Sequence, residues 1–307
     1  MAINQTLAGR FTNLRARGAV IQAIREFFIG RGYLETETPF RIPAPAPEAH
    51  IDALPAGDWF LHTSPELCMK RLLAAGYGRI FQICRCWRNG ERGSRHLPEF
   101  TMLEWYRAGS DYRGLMADCE ALIQAIVGKT GRDATITYQG VKINLAGEWE
   151  RITVREAFAR YGGVSMEEAL ATDRFDEVMV QEIEPRLGIG RPTFIHDYPA
   201  CCAALAKLKD DDPTVAERFE LYLGGMELAN AFTELTDPIE QRRRFLDEEG
   251  YRRSAGRQPY PLPEKFLAEL PAMPPSAGIA LGVDRLLMVL LDAATIDEVV
   301  AFTPEDL

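Results

Sequence analysis

A cluster of arginines is the first feature of this sequence that could do chemistry. The stretch RCWRNGERGSRHLPEFTMLEW contains Arg85, Arg88, Arg92 and Arg95, although the whole chain has a formal net charge of -10. Arg88 follows Trp87 at the end of an apolar stretch, where an unpaired guanidinium is costly to desolvate. Because arginine makes bidentate contacts with carboxylates and phosphates, this loop predicts an anion-binding site.

A second arginine with an unusual position lies near the other end of the chain. Arg285 falls in the first turn of a predicted helix, where the helix dipole disfavours a cation by about 0.3–1 kcal/mol. A bound anion would reverse this effect, and the preceding Gly282 allows a ligand to approach the backbone closely. Arg88 and Arg285 together therefore predict a polyphosphate held between them.

Five carboxylates occur in apolar or ordered contexts. They are Glu66, Glu99, Glu104, Glu227 and Glu234. Some should pair with internal arginines, and the remaining charge could hold a divalent metal ion on phosphates and an ammonium group of a substrate. Glu227 and Glu234 would share a face on a helix but point to opposite sides of a straight strand. Propensity favours a helix for their segment, and the residues alone leave the choice open.

The elements that must position these residues follow from hydrophobic periodicity. Ranges 13–32, 112–128, 153–161 and 174–187 are predicted to be helices, as is a segment from Ser64, its capping residue, to about Ala75. Strands are predicted at 79–86 and 99–107, forming an antiparallel hairpin whose loop carries the arginines, and at 192–199. The range 214–223 reads as a helix running into a strand. The range 276–294 reads as a strand, a tight turn and a helix from Asp284.

Composition excludes several classes of protein. With 307 residues, 47% of them hydrophobic, the chain can form one large domain or two smaller ones. A pI near 5.1 disfavours a general nucleic-acid binder. The sequence shows no signal peptide and no membrane helix, and its six cysteines predict reduced thiols in the cytoplasm. Cys84 and Cys86 are expected to pack on one face of a strand, because no histidine or further cysteine lies at metal-ligand spacing.

Three segments resemble the motifs of class II aminoacyl-tRNA synthetases. FQICRCWRNGERGSRHLPEFTMLEWY (about 79–107) is similar to motif 2 in its lysyl form, and GIALGVDRLLMVL (about 276–294) to motif 3. The helix at 13–32 followed by TETP resembles motif 1 (about 13–42). TSPELCMKRLL and GGMELANAFTELTD resemble lysyl-type substrate segments. The resemblance implies an α+β fold, the class II catalytic core, with a mixed, mainly antiparallel sheet flanked by helices and a single domain over 1–307.

The sequence is more similar to the elongation factor P–(R)-β-lysine ligases, free-standing paralogues of lysyl-tRNA synthetase, than to the synthetase itself. Only about ten residues precede motif 1 and few follow motif 3, so no anticodon-binding domain and no tRNA partner are expected. The resemblance implies ATP- and Mg²⁺-dependent formation of an adenylate of (R)-β-lysine or lysine. The aminoacyl group would then pass to a lysine side chain of elongation factor P. A cytoplasmic homodimer that does not associate with membranes is implied.

The resemblance also assigns roles to individual residues. Arg88 should contact the substrate carboxylate and the α-phosphate, and Arg285 the γ-phosphate, while Glu227 and Glu234 should lie near ATP, metal and substrate. The amino-acid pocket should contain Ser64, Pro65, Glu66, Glu104, Tyr106, Asn230, Phe232, Glu234 and Ala280. The ATP site should contain Arg88, Asn89, Gly90, Glu91, His96, Leu97, Phe100, Glu227, Leu228, Gly282 and Arg285. The resemblance makes 226–235 a strand, in which a twist or bulge must bring Glu227 and Glu234 to one site.

Three positions depart from the lysyl pattern. Gly90 stands where a glutamate is usual, and Glu91 follows one place later as the substitute. Leu97 replaces an asparagine and offers ATP no side-chain hydrogen bond. Ala280 replaces a glycine of lysyl-tRNA synthetases, and its methyl group would reshape the pocket where α- and β-amino groups differ.

Two alternative functions remain open at this point. One is another free-standing amino-acid activator, either of the asparagine-synthetase type or forming lysyl adenylate. The other is a non-catalytic regulator that resembles a synthetase. Such a regulator should have lost Arg88, Arg285 or the acidic pair, and all of them persist.

Overall fold

The structure, a computed structural model, describes residues 5–307 of the chain. Its strands there are β1 (Leu34–Glu35), β2 (Arg41–Ile42), β3 (Pro55–Ala56), β4 (Trp59–Leu61), β5 (Arg79–Trp87), β6 (Glu99–Ala108), β7 (Thr135–Tyr138), β8 (Val141–Asn144), β9 (Glu150–Thr153), β10 (Thr193–Pro199), β11 (Val215–Leu223), β12 (Met226–Thr233) and β13 (Ser276–Gly282). Its α-helices are α1 (Gln5–Gly9), α2 (Phe11–Gly30), α3 (Glu66–Ala74), α4 (Tyr112–Lys129), α5 (Val154–Ala157), α6 (Met166–Ala171), α7 (Phe175–Val178), α8 (Pro238–Ser254), α9 (Glu264–Glu269) and α10 (Val283–Leu291).

One large sheet organises the molecule. Its eight strands lie in the order β1-β5-β6-β13-β12-β11-β10-β9. Neighbours from β5 to β10 are antiparallel, whereas the edge strands β1 and β9 are parallel to their neighbours. The predicted α+β class is confirmed, as is the mixed, mainly antiparallel sheet flanked by helices.

Most predicted elements are present. The hairpin forms from β5 and β6, which pair from Arg79–Arg107 to Trp87–Glu99, so the arginine-rich loop joins their ends. The helix expected at 64–75 is α3, but its N-cap is Pro65 rather than the predicted Ser64. The Ser64 hydroxyl lies one residue earlier and accepts a 3.0 Å hydrogen bond from the Glu66 N–H.

The prediction for 214–223 was half right: the strand is present, but the helix expected before it is absent. Strand β11 begins at Val215 and pairs with β10 on one side and β12 on the other. Local helix propensity is a weak preference, and two flanking strands that bond the backbone on both sides outweigh it.

The segment of Glu227 is a strand, as the resemblance implied and against its local propensity. In the pairing of β11 with β12, Leu221 lies opposite Ala229 but Tyr222 lies opposite Glu227, so Leu228 is an extra residue in β12. Such a bulge reverses the alternation of side chains. Glu227 therefore lies on the same face as Asn230, although the two are three positions apart.

The two faces of the large sheet have different neighbours. Helices α2, α4 and α10 pack on one face and form the main core with strand residues such as Trp105 and Ile279. On the opposite face, α3 and α9 cover one end, where Leu67 and Phe266 pack with Tyr106. The remainder of this second face is open, and successive strands direct Ala280 and Asn230 toward it.

Among residues 5–307, no helix has both the length and the apolar composition needed to cross a bilayer.

Candidate active site

The open face of the sheet carries a cavity of about 360 Å³. This volume is within the range of small-molecule sites, roughly 300–1,000 Å³. The predicted residues that line it are Arg88, Glu91, His96, Leu97, Phe100, Glu227, Leu228, Asn230, Ala280, Gly282 and Arg285. Asn89 and Gly90 lie outside this lining and are exposed, and Gly90 adopts a φ of 78° that favours glycine.

Arg88 is a cation without a close partner. Its guanidinium lies over the Phe100 ring at 5.1 Å, and its ion pair with Glu91 is long, at 4.0 Å. Its Nε is buried and makes no hydrogen bond within residues 5–307. The loop therefore presents a positioned guanidinium with free donors, which suits an incoming anion.

Arg285 is held in the cavity by contacts from two sides. It donates 3.0 Å hydrogen bonds to the backbone carbonyl and the carboxylate of Glu227, and it also contacts Nε2 of His96. Burial and the charge of Arg285 lower the pKa of His96, so its ring is neutral and accepts this hydrogen bond. These contacts orient the guanidinium toward the same space as Arg88.

Three carboxylates gather near Arg285. Burial, together with the charges of Glu220 and Glu227, raises the pKa of Glu184 to about 7. Burial likewise raises the pKa of Glu220. Carboxylates that hinder each other's ionisation bind a divalent cation readily, because the cation replaces the protons. Glu220 and Glu227 both line the cavity and supply oxygen ligands of the type Mg²⁺ prefers.

Glu227 and Glu234 are not brought to one point. Seven residues of strand, less the bulge, separate them by about 20 Å at roughly 3.3 Å per residue. Glu227 pairs with Arg285, whereas Glu234 pairs with Lys70. The bulge places both on one face of the sheet but at different ends of the site, so the two cannot share one metal ion.

A buried cluster adjoins the cavity and contains most of the predicted amino-acid pocket. Lys70 is 1% exposed and lies 2.5 Å from a carboxylate oxygen of both Glu66 and Glu234. Burial raises the pKa of Glu234 to about 8. The cluster of two carboxylates and one ammonium therefore has no net charge when one carboxylate is protonated. Phe232 packs its ring 5.0 Å from the Lys70 ammonium.

Glu104 differs from these two acids. It is buried and accepts hydrogen bonds from Ser64 at 2.6 Å and Tyr106 at 2.9 Å. Within residues 5–307 it has no ion-pair partner, and burial raises its pKa well above the usual value. It is the carboxylate of this cluster that could receive the ammonium group of a ligand. Ser64 lies directly before Pro65, the N-cap of α3, and its hydroxyl reaches Glu104 from there.

Arg218, Glu220 and Glu48 line the cavity but were not expected from the sequence. Arg218 donates to Glu220 at 2.7 Å and to Asn230 at 3.0 Å. Charged residues alternating with Phe219 and Leu221 are a strand signal, which was obscured when this range was read as a helix. Glu48 comes from the proline-rich loop, where no local pattern marks it, and burial raises its pKa to about 7.

Two departures from the lysyl pattern have a visible structural effect. Leu97 is 3% exposed and belongs to the main core, so the side chain at this position anchors the loop. Glu91 lines the cavity beside Arg88, where the turn at Gly90 directs it.

Comparison with known proteins identifies relatives of this arrangement. Residues 8–306 match the family model of class II tRNA synthetases (D, K and N). The elongation factor P–(R)-β-lysine ligase of Pseudoalteromonas translucida is 38% identical over 309 residues, covering 94% of each chain. The enzyme of the same name from Vibrio cholerae is 40% identical over 311 residues, covering 95% of each. The lysine–tRNA ligase of Magnetococcus marinus is 38% identical over 94% of this chain but over only 63% of its own length.

Proposed function

We propose, since the chain belongs to the class II tRNA synthetase family, that it is an ATP-dependent amino acid–protein ligase. It activates (R)-β-lysine, or lysine, as an aminoacyl adenylate and transfers it to a lysine side chain of elongation factor P. The observation that carries this proposal is that a cationic cavity and a buried carboxylate pocket lie next to each other. Arg88 and Arg285 face one cavity, and the unpaired carboxylate Glu104 lies directly beside it.

The cavity end is proposed to bind ATP. Arg88 would use its free donors to bind the α-phosphate and the substrate carboxylate, and Arg285, held by Glu227, would contact the γ-phosphate. Glu220 and Glu227 would hold Mg²⁺. When bound, the ion neutralises phosphate charge and favours pyrophosphate departure.

The buried end is proposed to select the amino acid. Glu104 and Tyr106 would bind the side-chain ammonium, and Lys70 keeps Glu66 and Glu234 from repelling each other. Ala280 pairs with Glu104 and with Asn230 in the sheet, so its methyl group faces the substrate. This methyl would disfavour an α-amino group and leave room for a β-amino group.

The reaction proposed has two displacements. An oxygen of the substrate carboxylate attacks the α-phosphorus, the bond to pyrophosphate breaks, and Arg88 stabilises the charge that develops. The ε-amine of the acceptor lysine then attacks the acyl carbon, loses a proton and expels AMP. No side chain of this protein acts as a nucleophile, because positioning and electrostatics supply the rate enhancement.

The proposal includes a cytoplasmic homodimer that acts without tRNA. Apolar side chains near motif 1 are exposed, among them Phe11, Ile29, Leu34 and Phe40. A second copy covering them would explain this exposure. The net charge of -10 makes a polyanionic partner unfavourable. Light scattering of the purified chain tests the dimer.

ATP–pyrophosphate exchange with (R)-β-lysine, α-lysine and asparagine in parallel tests the function. We expect the fastest exchange with (R)-β-lysine, and Ala280→Gly should shift preference toward α-lysine. Exchange strongest with asparagine would point to the other amino-acid activators, and no exchange with any of the three would exclude both enzyme proposals. Mass spectrometry of elongation factor P after incubation tests the transfer step.

A further inference from the structure

Two buried thiols and one buried imidazole meet beside the cavity. Cys84 and Cys86 point to the same face of β5 because strand side chains alternate. His62 follows β4 and reaches them from a different part of the chain, where its carbonyl accepts a hydrogen bond from the Trp87 N–H. One ligand atom from each of the three lies within 4.8 Å of the other two. The exposed fractions are 7%, 0% and 1%, respectively, so water does not solvate the group.

The His62 ring makes a hydrogen bond through only one of its two nitrogens within residues 5–307. Nε2 lies 2.7 Å from the carbonyl oxygen of Arg85, so Nε2 carries the proton and donates it. Nδ1 is then a bare lone pair, buried and without a hydrogen bond within residues 5–307. An imidazole fixed by a backbone carbonyl on one nitrogen and bare on the other has the arrangement of a metal-binding histidine.

The spacing of the sulfurs fits one metal ion. The Sγ atoms of Cys84 and Cys86 are 3.9 Å apart. Two thiolates bound to one tetrahedral zinc at about 2.3 Å are about 3.8 Å apart. A disulfide would need the same atoms at about 2.05 Å, and residues two apart on an extended strand are near the upper limit of the Cα separation it tolerates.

We propose that His62, Cys84 and Cys86 form a binding site for a thiophilic divalent ion, Zn²⁺. Binding releases the two thiol protons and needs no oxidant or reductant. Two thiolates balance the charge of the ion, so the buried complex is neutral. No fourth histidine, cysteine or acid joins the group within residues 5–307, which leaves one coordination position for water or another small ligand.

The ion would connect two segments of the active site. His62 directly precedes the turn that contains Ser64, and Cys86 lies two residues before Arg88. The same sulfurs pack against Phe100 and Ala280, which line the cavity. A bound ion would therefore tie the substrate-pocket turn to the strand that carries Arg88. This role goes beyond the proposed ligase activity and does not depend on it.

The chain contains a matched control. Cys201 and Cys202 also have sulfurs 3.9 Å apart, but Cys201 is exposed and no histidine joins them within the described residues. If sulfur spacing alone were enough, this second pair would bind zinc equally well. The double variant Cys201→Ser/Cys202→Ser removes it and leaves the proposed site intact.

The test is metal titration of the full-length chain under reducing conditions. With Co²⁺ as a reporter, one equivalent should produce thiolate charge-transfer absorption and the visible bands of a tetrahedral ion, and Zn²⁺ should displace it. The Cys201→Ser/Cys202→Ser variant should behave like the wild type. Cys84→Ser should weaken zinc binding at least about 100-fold. Loss of a residue that only hydrogen-bonds to a metal ligand weakens metal affinity about 10–100-fold, and loss of a ligand itself should weaken it more.

Each other result overturns the proposal. The proposal is wrong if the wild-type chain gives no thiolate–cobalt absorption at one equivalent of Co²⁺. This outcome does not depend on whether the Cys84→Ser variant folds. Loss of the signal in the Cys201→Ser/Cys202→Ser variant would assign the ion to the other pair. A Cys84–Cys86 disulfide that forms readily in air and persists in the presence of Zn²⁺ would identify a redox pair instead.

Discussion

The two ends of the site differ in how far their charged side chains are exposed and paired. At the cavity end, the Arg88 and Arg285 side chains are 26% and 21% exposed, and the ion pair of Arg88 with Glu91 is long. At the buried end, Lys70 and Glu234 are 1% and 0% exposed and in direct contact. The first end has donors left over for a ligand, whereas the second has satisfied most of its charges internally.

This difference separates binding from stability. A partly exposed cation can be removed at little cost to the fold, because water replaces its weak partner. A buried ion that loses its partner remains uncompensated, which destabilises the folded state strongly. Substitutions at the cavity end should therefore change activity, and those at the buried end should change the free energy of unfolding.

The largest effect is expected at the buried end. Lys70→Met removes the ammonium between Glu66 and Glu234, and should lower the free energy of unfolding by about 3–5 kcal/mol. Urea unfolding followed by circular dichroism measures this change. Lys129→Met is the control, because its pair with Glu26 is 64% and 44% exposed and should contribute about 0–1 kcal/mol. Equal effects of the two substitutions would remove the distinction between the ends.

At the cavity end, Arg88→Ala should abolish most of the activity and leave the fold intact. We expect kcat for adenylate formation to fall about 10²–10³-fold, as for other lost donors to a developing anion. The melting temperature should be unchanged. Arg85→Ala is the control, since Arg85 is 46% exposed and pairs with Glu99 outside the cavity. Normal pyrophosphate exchange in Arg88→Ala would refute the assigned role.

A smaller effect is expected from a methyl group added at the floor of the buried end. The Cβ of Gly278→Ala would overlap Glu234 Oε1 and the ring of Tyr106. Overpacking of this kind costs about 1–3 kcal/mol of stability. Gly282→Ala, at the cavity end, would meet only the Arg285 side chain at 3.7 Å or more and should be neutral or slightly stabilising. Thermal unfolding of both variants would show whether the packing of the two ends differs in this way.

The smallest effect concerns pH. Burial raises the pKa of Glu184 from 4.5 to about 7, so the folded state holds this proton more tightly than the unfolded state. Its contribution to stability is complete below about pH 4.5 and is lost as the pH rises through 7. Glu184→Gln should therefore reduce the decline of unfolding free energy between pH 4.5 and 7.

Glu182→Gln is the matched control for the pH measurement. Glu182 pairs with Arg186 on the surface, where both side chains are about half exposed. An unchanged pH dependence in Glu184→Gln would mean that the acids near Arg285 do not hold a proton in the folded state.

Much of the fold was predictable because its signals are local. Alternation over 79–86 and 99–107 predicts β5 and β6, since a strand that buries one face must alternate. Glycine termini and apolar periodicity likewise predict α2. At 214–223 the local signals conflict, since alternation around Phe219 and Leu221 favours a strand while propensity favours a helix at the start. Hydrogen bonds to β10 and β12, which are not local, decide in favour of the strand.

The sequence by itself determined the kinds of groups in the site. The cations Arg88 and Arg285 stand out because each occupies a place where an unpaired charge is unfavourable, and the acids stand out among apolar neighbours. The order of the motifs determined the family. These conclusions depend on residue type and short spacing, which a linear chain records directly.

Only the tertiary structure decided which groups meet. In the folded chain Glu227 and Glu234 lie apart, Glu234 forms an ion pair with Lys70, and Glu220 lines the same cavity as Glu227. It also brought His62 to Cys84, 22 positions away, although spacing along the chain had argued against a metal site. The physical reason is that contacts across a sheet depend on strand order, register and a single-residue bulge, and these are set by the packing of the whole domain.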